Sequence, residues 1–190
     1  MNVKKIAIFA SGSGTNAQAI MEYFAQRQNV KVDSLWSNNP TAFALKRAEN
    51  MGVDSFVFNK NQFYASSFVV DQLLERKIDL IVLAGFLWLV PENLIAKFEI
   101  INIHPALLPK YGGKGMYGNK VHEAVVNNKE LETGITIHRI DEKFDEGELI
   151  FQAKCAVDPN DTPEMVAQKV HILEHQHFPL VIEKYLLEKP

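Results

Sequence analysis

The feature that most restricts this chain is an alternation of short apolar runs with longer amphipathic stretches through its first 130 or so residues. Residues 6–9, 80–84 and 100–104 are almost continuously apolar and too short for buried helices, which marks strands covered on both faces of a parallel sheet. Residues 30–36 and 56–58 supply two further strands. Between them lie helical patterns: 16–26, with Ala17, Ile20, Met21 and Phe24 on one stripe; 43–51, stopped by Gly52; 62–76, with Phe63, Val70, Leu73 and Leu74; and a short helix begun by Pro91. A Pro/Gly-rich loop over 105–118 precedes a helix at 119–127. The rhythm then changes, because the strands at 134–140 and 148–157 have no helix between them and read as an antiparallel pair. Asp161 or Thr162 caps a last helix running to about His177, where Pro179 is expected to interrupt it. The expectation is an α/β fold: a doubly wound, mostly parallel, Rossmann-like sheet with helices on both faces and an antiparallel C-terminal addition.

Charge and cysteine content narrow the function classes. Twenty Lys and Arg against 23 Asp and Glu give a net charge of −3, so no global basic field draws nucleic acid or an anionic membrane. Any anion site must be local. The longest apolar run, interrupted at Gly85, is too short to span ~30 Å of hydrocarbon as a helix. One cysteine, Cys155, and an N-terminus without a long apolar segment or small-residue cleavage site suggest a cytoplasmic address.

Three segments carry chemistry. Ser11-Gly12-Ser13-Gly14-Thr15-Asn16-Ala17 joins the first strand to the first helix, where glycines let backbone N–H groups approach an anion and the helix end adds partial positive charge. The stretch also fits the loose dinucleotide pattern G-x-G-x-x-A. That pattern wants an acidic residue at the end of the second strand, which here ends in Ser37-Asn38-Asn39-Pro40, while Asp33 lies near the strand's start. A monophosphate fits better, and a tight turn that binds nothing is the alternative. In Asn102-Ile103-His104-Pro105, two polar side chains two residues apart share one face at the carboxyl end of a buried strand. An amide that stabilises an oxyanion beside an imidazole that moves a proton suits acyl transfer to an amine. The same pair can instead satisfy loop backbone. The acidic loop at 141–147 contains Asp145, a carboxylate that would raise the pKa of His104 if the fold brought the two together; a solvated turn is the plainer reading.

In this order and spacing, the Ser-Gly-Ser-Gly-Thr-Asn turn, Leu83-Ala84-Gly85-Phe86, Asn102-Ile103-His104-Pro105-Ala106-Leu107-Leu108-Pro109 and Asp145-Glu146-Gly147 resemble the phosphoribosylglycinamide formyltransferases, folate-dependent enzymes of purine synthesis. The resemblance covers essentially the whole chain. It implies transfer of the formyl group of 10-formyltetrahydrofolate, as co-substrate, to the amine of glycinamide ribonucleotide, without a metal. It places the catalytic trio on Asn102, His104 and Asp145, with a protonated His104 kept charged by Asp145. Substrate contacts fall on Gly14, Thr15, Asn16, Ala17, Gln18 and Glu174, and the folate pocket on Leu87, Trp88, Leu89 and Val90 with Asn102. Lys60 is the nearest candidate for the folate tail, Ala106 and His171 stand where many relatives carry other residues, and Trp88 also suits ordinary core. Residues 110–118 resemble the family's mobile loop. The implied organisation is one formyltransferase domain over 1–190, residues 1–100 forming a phosphate-binding half and 101–190 a catalytic and folate-binding half, as a monomer or homodimer.

Other readings are weighed on the same residues. His171-Ile172-Leu173-Glu174-His175 spells the H-x-x-E-H of a class of zinc peptidases, whose third ligand lies far downstream, and only 15 residues follow His175. Surface histidines fit better there. His122-Glu123 lacks a second histidine, and His138 reads as a packed strand residue facing the edge near Asp145. A formyltetrahydrofolate hydrolase would be expected to carry an N-terminal regulatory domain, and a methionyl-tRNA formyltransferase a further C-terminal one. A non-catalytic phosphosugar-binding protein would keep the glycine turn without needing Asn102, His104 and Asp145 to converge.

Overall fold

The apolar runs become β1 (Lys4–Phe9), β2 (Val30–Ser37), β3 (Asp54–Val57), β4 (Leu80–Leu83) and β5 (Glu99–His104) in a computed structural model that describes residues 3–141, 145 and 147–188. With β6 (Glu132–Arg139) and β7 (Leu149–Ala156) they form one seven-stranded sheet ordered β3-β2-β1-β4-β5-β6-β7. Strands β1 to β5 run parallel, whereas β6 and β7 pair antiparallel, as the loss of an intervening helix required. The β4 pattern is buried at every position, which explains its unbroken hydrophobicity.

Helices cover both faces. Residues of α1 (Thr15–Ala25), α2 (Phe43–Asn50), α5 (Asn119–Asn127) and α6 (Pro163–Glu188) share one core with Ile6, Ile8 and Val82. The other face packs α3 (Phe68–Glu75) and α4 (Glu92–Ile95) against Ala7, Phe9 and Ile81, with an aromatic cluster of Phe9, Trp36, Phe58 and Phe63. The winding reverses between β1 and β4, and the crevice at their carboxyl ends is where such sheets receive ligands.

Two elements differ from the sequence pattern. The helix expected at 62–76 divides into a π-helical turn, Asn61–Ala65, and α3. Asn59 and Gln62 exchange side-chain-to-backbone bonds at 2.9 Å, and Ser66 Oγ accepts the Phe68 N–H at 3.3 Å, so polar side chains restart the helix where a continuous pattern was expected. Phe63 is buried in the aromatic cluster, while Leu74 faces solvent. The last helix also does not stop near His177; α6 continues through Pro179 to Glu188. A helical proline costs about 3 kcal/mol, and burial of Phe178, Pro179 and Ile182 offsets it. Tyr185 donates to Glu99 at 2.7 Å and Tyr23 donates to Glu183, fixing the helix beyond the proline to β5 and α1. At the helix start Thr162 acts as cap, its Oγ1 accepting the Met165 N–H at 3.3 Å, whereas Asp161 is held by Lys169. Pro163 takes the first helical position.

The close approach of α1 to α2 depends on Gly14, which has φ +73° and no room for a side chain, since a Cβ would fall 2.5 Å from that of Ala44. Gly14→Ala should therefore lower unfolding stability by about 1–3 kcal/mol in urea titration; an unchanged midpoint would contradict this packing.

Candidate active site

Ser11 fastens the crevice. Its N–H donates to Gly85 O at 3.0 Å, its Oγ donates to Asn38 Oδ1 at 2.7 Å and accepts the Leu87 N–H at 3.0 Å, joining the ends of β1, β2 and β4. The chain then turns through Gly12, Ser13 and the left-handed Gly14 into α1, whose N-terminus has no side-chain cap. Its first amides are left for an acceptor from outside. Gly12 to Asn16 line a cavity of about 700 Å³. Two of the expected contacts do not reach it through their side chains: Ala17 is core, and Gln18 is engaged by Arg47 and Glu22. Asp33, in β2, is bonded to Arg76 at 2.9 Å and does not line the cavity, so it does not serve as the carboxylate of a dinucleotide's ribose.

Across the cavity, antiparallel register sets Asn102 opposite His138 and His104 opposite Thr136. The Asn102 amide lies 3.1 Å from His138 Nε2. Thr136 Oγ1 donates to Ala106 O at 2.6 Å and accepts the Leu108 N–H at 2.9 Å, holding the chain as it leaves His104. Asp145, at φ +57°, reaches in from its loop and is nearly enclosed. Its Oδ2 lies 3.5 Å from His104 Nδ1 and its Oδ1 3.5 Å from His138 Nε2, and it accepts the Gly113 N–H at 3.0 Å. The structure thus brings Asn102, His104 and Asp145 together. Glu146, in the resemblance motif, lies outside the described residues.

Electrostatics refine the roles. Burial pushes the Asp145 carboxyl up, but the bond to His138, the charge of His104 and the Gly113 amide together hold it below its ordinary value. His104 goes the opposite way. Its burial lowers the pKa, and neither Asp145 nor the Tyr111 carbonyl, which accepts from Nε2 at 2.7 Å, fully restores it. The expected upward push from Asp145 exists, but desolvation outweighs a carboxylate that also serves His138. The pKa of His104 therefore lies below the ordinary imidazole value.

Further along the wall, Glu174 is buried and accepts from Asn16 Nδ2 at 3.0 Å and pairs with His171 Nδ1 at 2.7 Å. The bond to Glu174 raises the His171 pKa. Glu174 thus points inward, and among the described residues no group of three or more His, Cys, Asp or Glu is placed to hold a metal. Leu87, Trp88, Leu89 and Val90 form the opposite wall. Their backbone is partly committed, the Leu87 N–H to Ser11 and the Leu89 carbonyl to Tyr64 at 2.9 Å. Trp88 joins the aromatic cluster, stacked on Tyr64 with Lys60 5.9 Å from its ring centre. Cys155 is half-buried against the core.

Two further histidines line the cavity. His138, a packed strand residue facing the edge near Asp145 as its pattern implies, is tied to the site by its cross-strand pairing with Asn102. His122, buried on α5, lines the cavity with an Nδ1 that has no hydrogen-bond partner, as does the Asn16 Oδ1. Burial lowers its pKa. Buried polar atoms without partners in one cavity call for a ligand that can hydrogen-bond to them.

Comparison with known proteins gives the family and the fold. The formyl transferase family profile matches residues 4–182. The chloroplastic phosphoribosylglycinamide formyltransferase of Arabidopsis thaliana is 38% identical over 187 residues, which are 94% of this chain but 64% of that protein. The chain thus spans less than two thirds of that plant relative. The phosphoribosylglycinamide formyltransferase of Bacillus subtilis is 34% identical over 97% of this chain and 95% of its own length. The crystal structure of the enzyme of that name from Bacillus halodurans superposes with a TM-score of 0.86 at 35% identity, over 97% of this chain and 96% of its own.

Because Asp145 raises the His104 pKa against burial, Asp145→Asn should drive it lower still. In NMR titration His104 and His122 should titrate below the ordinary value of 6.5 and His171 above it. A His104 pKa that rises in Asp145→Asn would contradict the arrangement.

Proposed function

The chain belongs to the formyl transferase family, and on that premise we propose that it transfers the formyl group of 10-formyltetrahydrofolate to the primary amine of glycinamide ribonucleotide, in de novo purine biosynthesis. The observation that carries the reading is that Asn102, His104 and Asp145 meet in the cavity that the uncapped N-terminus of α1 also lines. The substrate phosphate sits on the turn at Gly14, Thr15 and Asn16, and Ala17 and Gln18 contribute backbone at most. Residues 1–100 supply this anion site and 101–190 the catalytic side chains of one domain. The unpartnered Asn16 Oδ1 and His122 Nδ1, with Glu174, suit the hydroxyls of the ribose, which can both donate and accept. Folate lies along Leu87, Trp88, Leu89 and Val90, beside Asn102.

A neutral His104 does more than polarise a carbonyl. The amine attacks the formyl carbon, the carbonyl electrons move to oxygen, and the Asn102 amide donates to that oxyanion. With Nε2 released from the Tyr111 carbonyl and the ring's proton on Nδ1 beside Asp145, Nε2 takes the proton that the attacking nitrogen sheds and returns it to the folate nitrogen as the carbon–nitrogen bond breaks and the carbonyl re-forms. Asp145 favours the charged ring at the moment it forms. The ring must first release the Tyr111 carbonyl, so loop 110–118 moves before chemistry. The protein acts in the cytoplasm as a monomer or homodimer, on small molecules and without nucleic acid, membrane or metal.

The test is a direct assay with both substrates. Formyl transfer to the ribonucleotide amine is expected, and its absence in folded protein would overturn the reading. Asn102→Ala should lower kcat by about 10²- to 10³-fold, with a near-normal KM for the ribonucleotide. With His104 as base, kcat/KM should fall as pH drops through its depressed pKa, below 6.5, and change little above it apart from the amine's own ionisation. A rate that rises on acidification from neutrality would contradict a neutral ring at the start.

A further inference from the structure

The glycine turn gains its direction from a residue outside it. Arg47, in the last turn of α2, donates from Nε to Ser13 O at 2.8 Å and from Nη1 to Gln18 Oε1, with its guanidinium 4.9 Å from the Phe43 ring centre. One residue back, the Ala44 N–H donates to Gly12 O at 3.1 Å. In a trans peptide the C=O and the next N–H point in opposite directions. With the carbonyls of Gly12 and Ser13 both held toward α2, the N–H groups of Ser13 and Gly14 are aimed away from it. Two successive N–H groups turned away from α2 beside the uncapped start of α1 suit an anion.

We infer that Arg47 is a positioning residue for the phosphate: by holding the Ser13 carbonyl it keeps the turn's amides facing the ligand, and it adds a fixed positive charge behind them. The inference rests on the phosphate assignment of the preceding subsection and deepens it. Phe43 and Gln18 fix the guanidinium on two sides, so the Ser13 bond forms before any ligand arrives. Arg47 touches no reacting atom and acts only through the turn. Lysine, a point charge without the planar fork, can meet Ser13 O or Gln18 but not both in this geometry.

The experiment compares wild type, Arg47→Met and Arg47→Lys, each checked for an unchanged thermal transition. Loss of a charge-assisted hydrogen bond predicts that Arg47→Met raises the KM for the ribonucleotide about tenfold. The kcat should stay within about twofold, since no interaction special to the transition state is lost. Competitive inhibition by inorganic phosphate should weaken in parallel, and Arg47→Lys should recover part of the loss. Transfer to the dephosphorylated riboside should be the same in all three proteins. An unchanged KM and phosphate inhibition in Arg47→Met, or an equal loss toward the riboside, would overturn the role of Arg47. Wild-type protein that transfers no formyl group at all would instead overturn the functional reading.

Discussion

A carboxylate enclosed between two buried imidazoles is the constraint around which the rest of the site is organised. Asp145 lies 3.5 Å from both His104 and His138, and burying a charge this thoroughly is tolerated only where partners compensate. The Gly113 amide completes the set at 3.0 Å. Removing either imidazole leaves Asp145 with less of what holds it ionised, so the site behaves as a unit in which no residue's contribution is separable. The same burial that shields the carboxylate depresses His104. Burial and the carboxylate thus act on His104 in opposite directions, with burial prevailing, and the proposed proton transfer needs such a balance.

The sheet makes this convergence possible. Parallel strands deliver Ser11, Gly85 and Asn102 to one edge, and the reversal of winding between β1 and β4 opens the crevice there. The antiparallel β6 then runs alongside β5 so that His138 faces Asn102 directly. A sheet continued in parallel would have needed a crossover helix at that position and would not have brought the Asp145 loop back over His104. In the proposed function the α1 N-terminus supplies anion affinity and the β5–β6 pair proton handling, within one cavity.

Much of this was legible in the residues. The unbroken apolar runs named the strands, and the glycine turn, Asn102 and His104 sat where an α/β sheet places ligand-binding groups. Asp145 was recoverable only through family resemblance, since a charged loop between two strands looks like a solvated turn until a fold encloses it. The strand pattern turned His138 toward the edge near Asp145 but could not give its contact with Asn102, and His122 was legible only as a histidine without a second metal ligand. Pro179 misled for a related reason: the local penalty is real, but the packing of Phe178 and Ile182 is set by tertiary structure and outweighs it. The split at Ser66 and Ser67 turned on side-chain bonds to backbone, which hydrophobic spacing does not record.

The most direct test of the central claim is a crystal structure of the protein with glycinamide ribonucleotide and a folate analogue that cannot release its acyl group. The account predicts phosphate on the amides of the turn from Ser13 to Asn16, the amine and the acyl carbon between Asn102 and His104, Asp145 still bridging the two imidazoles, and the Tyr111 carbonyl withdrawn from His104. Ligands lodged elsewhere, with His104 still bonded to Tyr111 and its ring out of reach of the amine, would contradict it.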